Sequence, residues 1–189
     1  MATKKAKKQR SKKKIVTNKP KRPFLPWIIG VGVVLLAGIL ITINYMRASN
    51  LPGERFRSQG NVHIQEGADH PPYNSDPPTS GWHLPGLISW GTYDYLVADE
   101  GVIHNMEDGG VVLWYAFGTP EENEERIRAL EEVASGYRRI VIAPREDMPT
   151  TYALTAWQRL QRFDEIDREA MREFIKAYEG IDNHVAGIG

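Results

Sequence analysis

The 189-residue chain contains no cysteine. That removes disulfides, zinc–thiolate sites, iron–sulfur clusters, thiol-attached haem and cysteine nucleophiles together, and leaves the redox compartment unreadable. No Gly-rich phosphate loop follows a strand-like run, so nucleotide and dinucleotide chemistry rank low. No fixed-period repeat is present, and neither Asn50 nor Asn61 opens a glycosylation sequon. Acids are missing from the first part of the chain: all 24 lie beyond Arg47, while Lys4–Arg22 holds eleven of the 24 basic residues. A formal net charge of zero therefore hides a basic head and a remainder of −11, thirteen basic residues against 24 acidic ones.

The head, residues 1–22, has too little apolar surface to fold alone and is expected to be a disordered tail. In isolation such a block would suit nucleic acid, but its position argues against that partner. Phe24 to Met46 follows directly and carries no charge. Its 23 residues would reach about 34 Å as a helix, enough for a bilayer core of about 30 Å. Trp27 and Tyr45 near its ends suit the headgroup region, and Gly30, Gly32 and Gly38 would let a neighbouring helix approach. The run is longer than a signal-peptide core and lacks a small-x-small cleavage site, which favours an uncleaved anchor. The expectation is a cell-membrane protein with residues 1–22 cytoplasmic, a transmembrane helix over 23–46, a connector over 47–61 and an extracytoplasmic mixed domain over 62–189. The lipid bilayer, anionic cytoplasmic lipid for the tail, and an integral membrane protein complex are the expected partners.

Downstream, Tyr93, Tyr95 and Val97 alternate as one side of a strand. If Val102–Met106 is extended, Val102, His104 and Met106 share a face, and Asp108-Gly109 becomes a hairpin turn into Val111–Phe117, a central strand. Thr119-Pro120-Glu121-Glu122 is a helix start, and that helix should run to about Ala134. Arg138–Ala143 is the next strand, so the unit can be a crossover joining parallel neighbours. Residues 153–163 fit strand or helix. Asp167–Tyr178 is helical, burying Ala170, Met171, Phe174, Ile175 and Tyr178. The fold class expected is α/β or α+β: a small mixed sheet with two packed helices and a Pro/Gly-rich loop system, preceded by one transmembrane helix.

The loop system, residues 63–110, holds four of the five histidines, seven glycines and five prolines. Its Tyr73-Asn74-Ser75, Pro77-Pro78-Thr79-Ser80-Gly81 and His83, followed by His104 with an acid and glycines behind it, resemble DUF3105, an uncharacterised bacterial family. The likeness covers roughly residues 60–180 and includes Ala156-Trp157 and Phe174-Ile175. It implies membrane attachment or export and gives weight to the two motif histidines. The family pattern carries a further histidine behind the Glu of the second motif. Asp108 stands there in this chain.

Two chemistries fit these residues. Imidazoles of His70, His83 and His104 could hold copper or zinc, and the thioether of Met106 or Met148 would select copper. Asp76, Glu107 and Asp108 are alternative ligands, or orient the imidazoles, and would favour zinc. Copper is placed ahead of zinc on the thioethers. The spacings of 13 and 21 residues match no compact metal signature. The plainer reading is that His83 and His104 pin the loop by hydrogen bonds, Met106 fills the core, His63 faces solvent, and His184 stays outside the site. A hydrolase reading would use Ser80 as nucleophile, His83 or His104 as base, and Glu107 or Asp76 to orient it, although no nucleophile elbow surrounds Ser80. Binding or assembly ranks above catalysis, with a purely structural accessory subunit of a larger membrane complex as the alternative.

Overall fold

The computed structural model describes residues 25–49 and 51–184, and the side chains of 29–43 within the first helix. The chain divides into two units, with the boundary after Ala48. Helix α1, Leu25–Ser49, lies in the first except for its last residue. The basic tail, residues 1–22, and the side chains of Trp27 and Tyr45 lie outside the described residues.

A bilayer span needs about 18 or more continuous apolar residues. Among the described residues, no helix is long and apolar enough to cross a membrane. This overturns the transmembrane helix over 23–46 and everything that rested on it. The bilayer, anionic lipid and membrane-complex partners, the single-pass topology and the extracytoplasmic location are not supported.

The second unit is a six-stranded mixed sheet with helices on both faces. In chain order it runs β1 (Glu54–Arg55), β2 (Gly91–Thr92), α2 (Asp99–Glu107), β3 (Val111–Ala116), α3 (Pro120–Ala134), β4 (Ile140–Arg145), β5 (Tyr152–Ala156), β6 (Arg159–Phe163) and α4 (Arg168–Tyr178). The spatial order is β1-β6-β5-β3-β4-β2. Parallel pairing joins β3 to β4 and β4 to β2, and the other pairs are antiparallel. The β3–α3–β4 segment is the expected strand–helix–strand unit with parallel neighbours. Thr119 caps α3 through a reciprocal capping box with Glu122, and Asp167 caps α4 by accepting from the Ala170 N–H.

Alternation along the strands sends side chains to two cores. Val111, Leu113, Tyr115 and Leu154 pack under α3 and α4, against Leu130, Val133, Met171, Phe174 and Ile175. On the opposite face Val112, Trp114, Val141 and Ala153 pack against Val102, Ile103 and Met106 of α2, with Tyr73, Trp90 and Val97 of the loop system at the margin. Because β3 is covered on both sides, its run lacks polar alternation.

The structure differs from the sequence expectation in four places. Among the described residues there are three helices besides α1, where two were expected beside the membrane segment. Residues 99–107 are helix α2, not an extended strand. Val102, Ile103 and Met106 have helical spacing for one buried stripe, and Asp99 and Glu100 favour the first turn electrostatically. Asp108-Gly109 is accordingly the end of that helix, with Gly109 at φ +77° and its N–H bonded to the Met106 carbonyl, not a hairpin turn. The Tyr93–Val97 strand does not form: only Gly91–Thr92 pairs with β4, followed by a Tyr93 N–H bond to the Ile142 carbonyl. The undecided stretch 153–163 is the β5–β6 hairpin, turning at Gln158 with φ +62°.

Candidate metal centre

Helix α2 sets one half of the site. Residues 104, 107 and 108 are related by i, i+3 and i+4, so His104, Glu107 and Asp108 are neighbours on the helix surface, with Glu107 bordering the core stripe. The other half comes from the loop system. His63 and His83 form a parallel β-bridge, in which Ile64 N–H bonds to the His83 carbonyl at 2.8 Å and His83 N–H to the Val62 carbonyl at 3.1 Å. This two-bond ladder places both imidazoles against α2. Ring centroids lie 4.8 Å apart for His63 and His83, 5.2 Å for His63 and His104, and 5.1 Å for His83 and His104.

Together His63, His83, His104 and Glu107 form a group able to chelate a metal ion, each offering a ligand atom within 4.8 Å of the others. His83 and Glu107 are buried, while His63 is exposed and opens the group to solvent. A second group, His104, Asp108 and His184, meets the same distance limit. His184 arrives because the segment after α4 is tied to α2: Gly180 N–H bonds to the Gly109 carbonyl at 2.7 Å and Asn183 N–H to the Glu107 carbonyl at 2.8 Å.

The protonation of His83 follows from its partners. Its Nδ1 lies 2.8 Å from the Gly81 carbonyl oxygen, which can only accept, so Nδ1 carries the proton. Burial pushes the imidazole pKa below its ordinary value, despite the opposing pull of that hydrogen bond and of Glu107. The neutral ring then presents a bare Nε2 to Glu107 Oε2 at 3.1 Å. Neither atom has a hydrogen-bond partner, and neither does the buried Nδ1 of His104. The other carboxylate oxygen, Oε1, accepts from Asn61 Nδ2 at 2.9 Å. Two facing lone pairs in a buried site repel, and leaving them unsatisfied is costly. A cation held between them removes both penalties. The Nδ1–H to carbonyl bond is also the arrangement that orients metal-bound histidines.

The other residues singled out from the sequence lie elsewhere. His70 has both ring nitrogens engaged: Nδ1 with the Pro71 carbonyl at 2.8 Å and Nε2 with Glu100 at 3.1 Å. Met106 faces the core from the opposite side of α2, and Met148 packs against that same core. Asp76 pairs with Arg145 at 2.7 Å, and Arg145 also grips Asp99 at the start of α2. Ser80 is fully buried, its hydroxyl accepting from Gln59 N–H at 3.1 Å, a loop-pinning role that does not suit a nucleophile. Asp108 lies 3.9 Å from His104 and 3.5 Å from His184.

His63 and His184 were missed by sequence reasoning. The alternation Val62-His63-Ile64 was a weak strand signal for His63. Nothing local announced His184, which reaches the site through bonds spanning more than 70 positions.

Residues 63–186 match the family model described as "Protein of unknown function (DUF3105)". The chain belongs to DUF3105. No curated protein and no solved structure matches it. The DUF3105 region begins at His63 and includes all five histidines, so both groups lie inside it and α1 lies outside. The match shows neither membrane attachment nor export, which the resemblance had implied.

Within the DUF3105 region, His70 yields a pH prediction. Both its partners are acceptors, so the arrangement is satisfied by the imidazolium. The hydrogen bond to Pro71, then that to Glu100, raises its pKa. A raised folded-state pKa contributes stability that is complete below about pH 6.5 and is lost as pH rises through the folded value. Thermal midpoints of wild type and His70→Asn should therefore differ most at mildly acidic pH and converge in the alkaline range. A gap that widens with pH would contradict this.

Proposed function

We propose that the DUF3105 domain is a metal-binding protein in which His63, His83, His104 and Glu107 hold one divalent transition-metal ion. The observation that carries this is the pair of buried, unpartnered atoms His83 Nε2 and Glu107 Oε2, 3.1 Å apart, with the His83 ring proton committed to Gly81. Three imidazoles and a carboxylate suit zinc. The thioether that favoured copper has no support in this group, since Met106 lies on the other side of α2.

The exposure of His63 favours a second reading, in which the same centre supports metal-assisted hydrolysis. A solvent-facing side gives access to water and substrate, which a closed structural site does not need. Here His83 and Glu107 would fix the position of the ion and His63 would line the approach to it.

Elemental analysis of the protein isolated without added metal tests the first reading. We expect at least one equivalent of zinc, removable by a chelator, with a fall in thermal midpoint that zinc restores. A metal-free protein that neither takes up zinc nor gains stability from it would overturn the proposal. Zinc-restored hydrolysis of a simple activated ester, lost on chelation, would support the hydrolytic reading, and ester turnover indifferent to metal would count against it.

A further inference from the structure

Six side chains, not four, converge on this end of α2, and they do so in a pattern that repeats. His184 Nδ1 lies 2.7 Å from Asp182 Oδ1, so its ring proton has an acceptor just as that of His83 has in Gly81. Its other nitrogen, Nε2, lies 3.7 Å from Glu107 Oε2, the same oxygen that His83 Nε2 approaches at 3.1 Å. That oxygen is buried and has no hydrogen-bond partner, while Oε1 is taken by Asn61. Asp108 completes the group, with Oδ1 3.5 Å from His184 Nδ1 and Oδ2 3.9 Å from His104 Nε2. His104 belongs to both groups of potential ligands.

Resting on the proposed metal site, we infer that Asp108 and His184 hold a second divalent ion beside the first, with Glu107 Oε2 shared between the two. A carboxylate oxygen facing an imidazole on each side is suited to bridge two cations, whose charge also offsets the crowding of Glu107, Asp108 and Asp182. The backbone supports this placement. Asn183 N–H and Nδ2 bind the Glu107 and Met106 carbonyls at 2.8 and 3.3 Å, so His184 is attached to the helix that carries its partners. Gly109 permits the close approach, since a Cβ there would stand 2.7 Å from the Ile181 backbone. Paired ions are the arrangement used to clamp the attacking and leaving oxygens in phosphoester and peptide hydrolysis. The second ion thus narrows the hydrolytic reading to those substrates.

Native mass spectrometry of the full chain titrated with zinc separates the outcomes. Two ions per wild-type chain, one per His184→Ala chain and one per Asp108→Asn chain are expected. Affinity for the remaining ion should fall by about 10- to 100-fold in either variant, as for loss of a residue beside a ligand. His184 is partly exposed, so its truncation leaves the core intact, and Asp108→Asn gives an independent check. A wild-type stoichiometry of one at saturating zinc would overturn the second site and leave the first standing, with His184 held by a proton instead. A stoichiometry of zero would overturn both, and two ions retained in His184→Ala would show the assignment to be wrong.

Discussion

In zinc-containing buffer, His83→Ala should lose the ion and unfold with about 3–5 kcal/mol less stability than wild type. The loss combines the end of metal-linked stabilisation, a cavity where a fully buried ring stood, and a buried carboxylate left facing nothing. Glu107→Gln should behave differently, and that difference is the sharper test. With zinc present it should also be destabilising, since an amide is a poor replacement for the carboxylate. Under chelation the sign should reverse, by about 1–3 kcal/mol in favour of the variant. The Gln amide N–H can donate to the bare His83 Nε2 that Glu107 Oε2 faces at 3.1 Å, and its carbonyl can still accept from Asn61. Two unsatisfied atoms become one hydrogen bond, and a buried negative charge is removed. Denaturant titrations of both proteins with zinc and with chelator give the four numbers required. If His83 and Glu107 were an ordinary charged pair holding a proton, Glu107→Gln would be destabilising in both buffers.

Of the histidines singled out from the sequence, the fold brings His83 and His104 together and leaves His70 with Pro71 and Glu100, for a geometric reason. His83 and His104 were visible as a pair because each lies in one of the two motifs that carry the family resemblance. The period of the segment around His104 decided the rest. Read as a strand, with period two, it gives His104 a sulfur neighbour in Met106 and points to copper. Folded as helix α2, with period 3.6, it gives His104 the neighbours Glu107 and Asp108 and turns Met106 into the core. A nine-residue element with two acids at its start and a glycine at its end carries both patterns, and burial against β3 selects the helix. His63 and His184 depend on long-range pairing, a β-bridge across 20 positions and backbone bonds from the tail to α2, which no local window contains. By contrast β3, α3, β4 and α4 were legible, because β-branched runs, the Thr119 capping box and the Met171–Phe174–Ile175 stripe each encode one answer.

Trp114→Ala should cost about 3–5 kcal/mol, an effect comparable to that of His83→Ala but without involving any ligand. Trp114 is fully buried on β3, on the face that seats α2. Its indole N–H donates to Thr155 Oγ1 at 2.8 Å on the neighbouring strand β5, and the Arg145 guanidinium lies 5.4 Å from its ring centre. Arg145 in turn binds Asp99 at the start of α2 and Asp76 in the loop system. One ring therefore supports both elements that bring the imidazoles together. Trp114→Phe isolates the hydrogen bond: it keeps most of the ring's buried surface and loses the donor to Thr155, so a loss of only about 1 kcal/mol is expected, with zinc affinity nearly unchanged. Trp114→Ala should weaken zinc binding as well, because ligands displaced by even about 1 Å no longer converge. Urea unfolding and zinc titration of the two variants distinguish these cases. If Trp114→Ala kept full affinity while losing stability, α2 and the His63–His83 ladder would be held in register by their own contacts, and the sheet would be a support for the helix but not for the site.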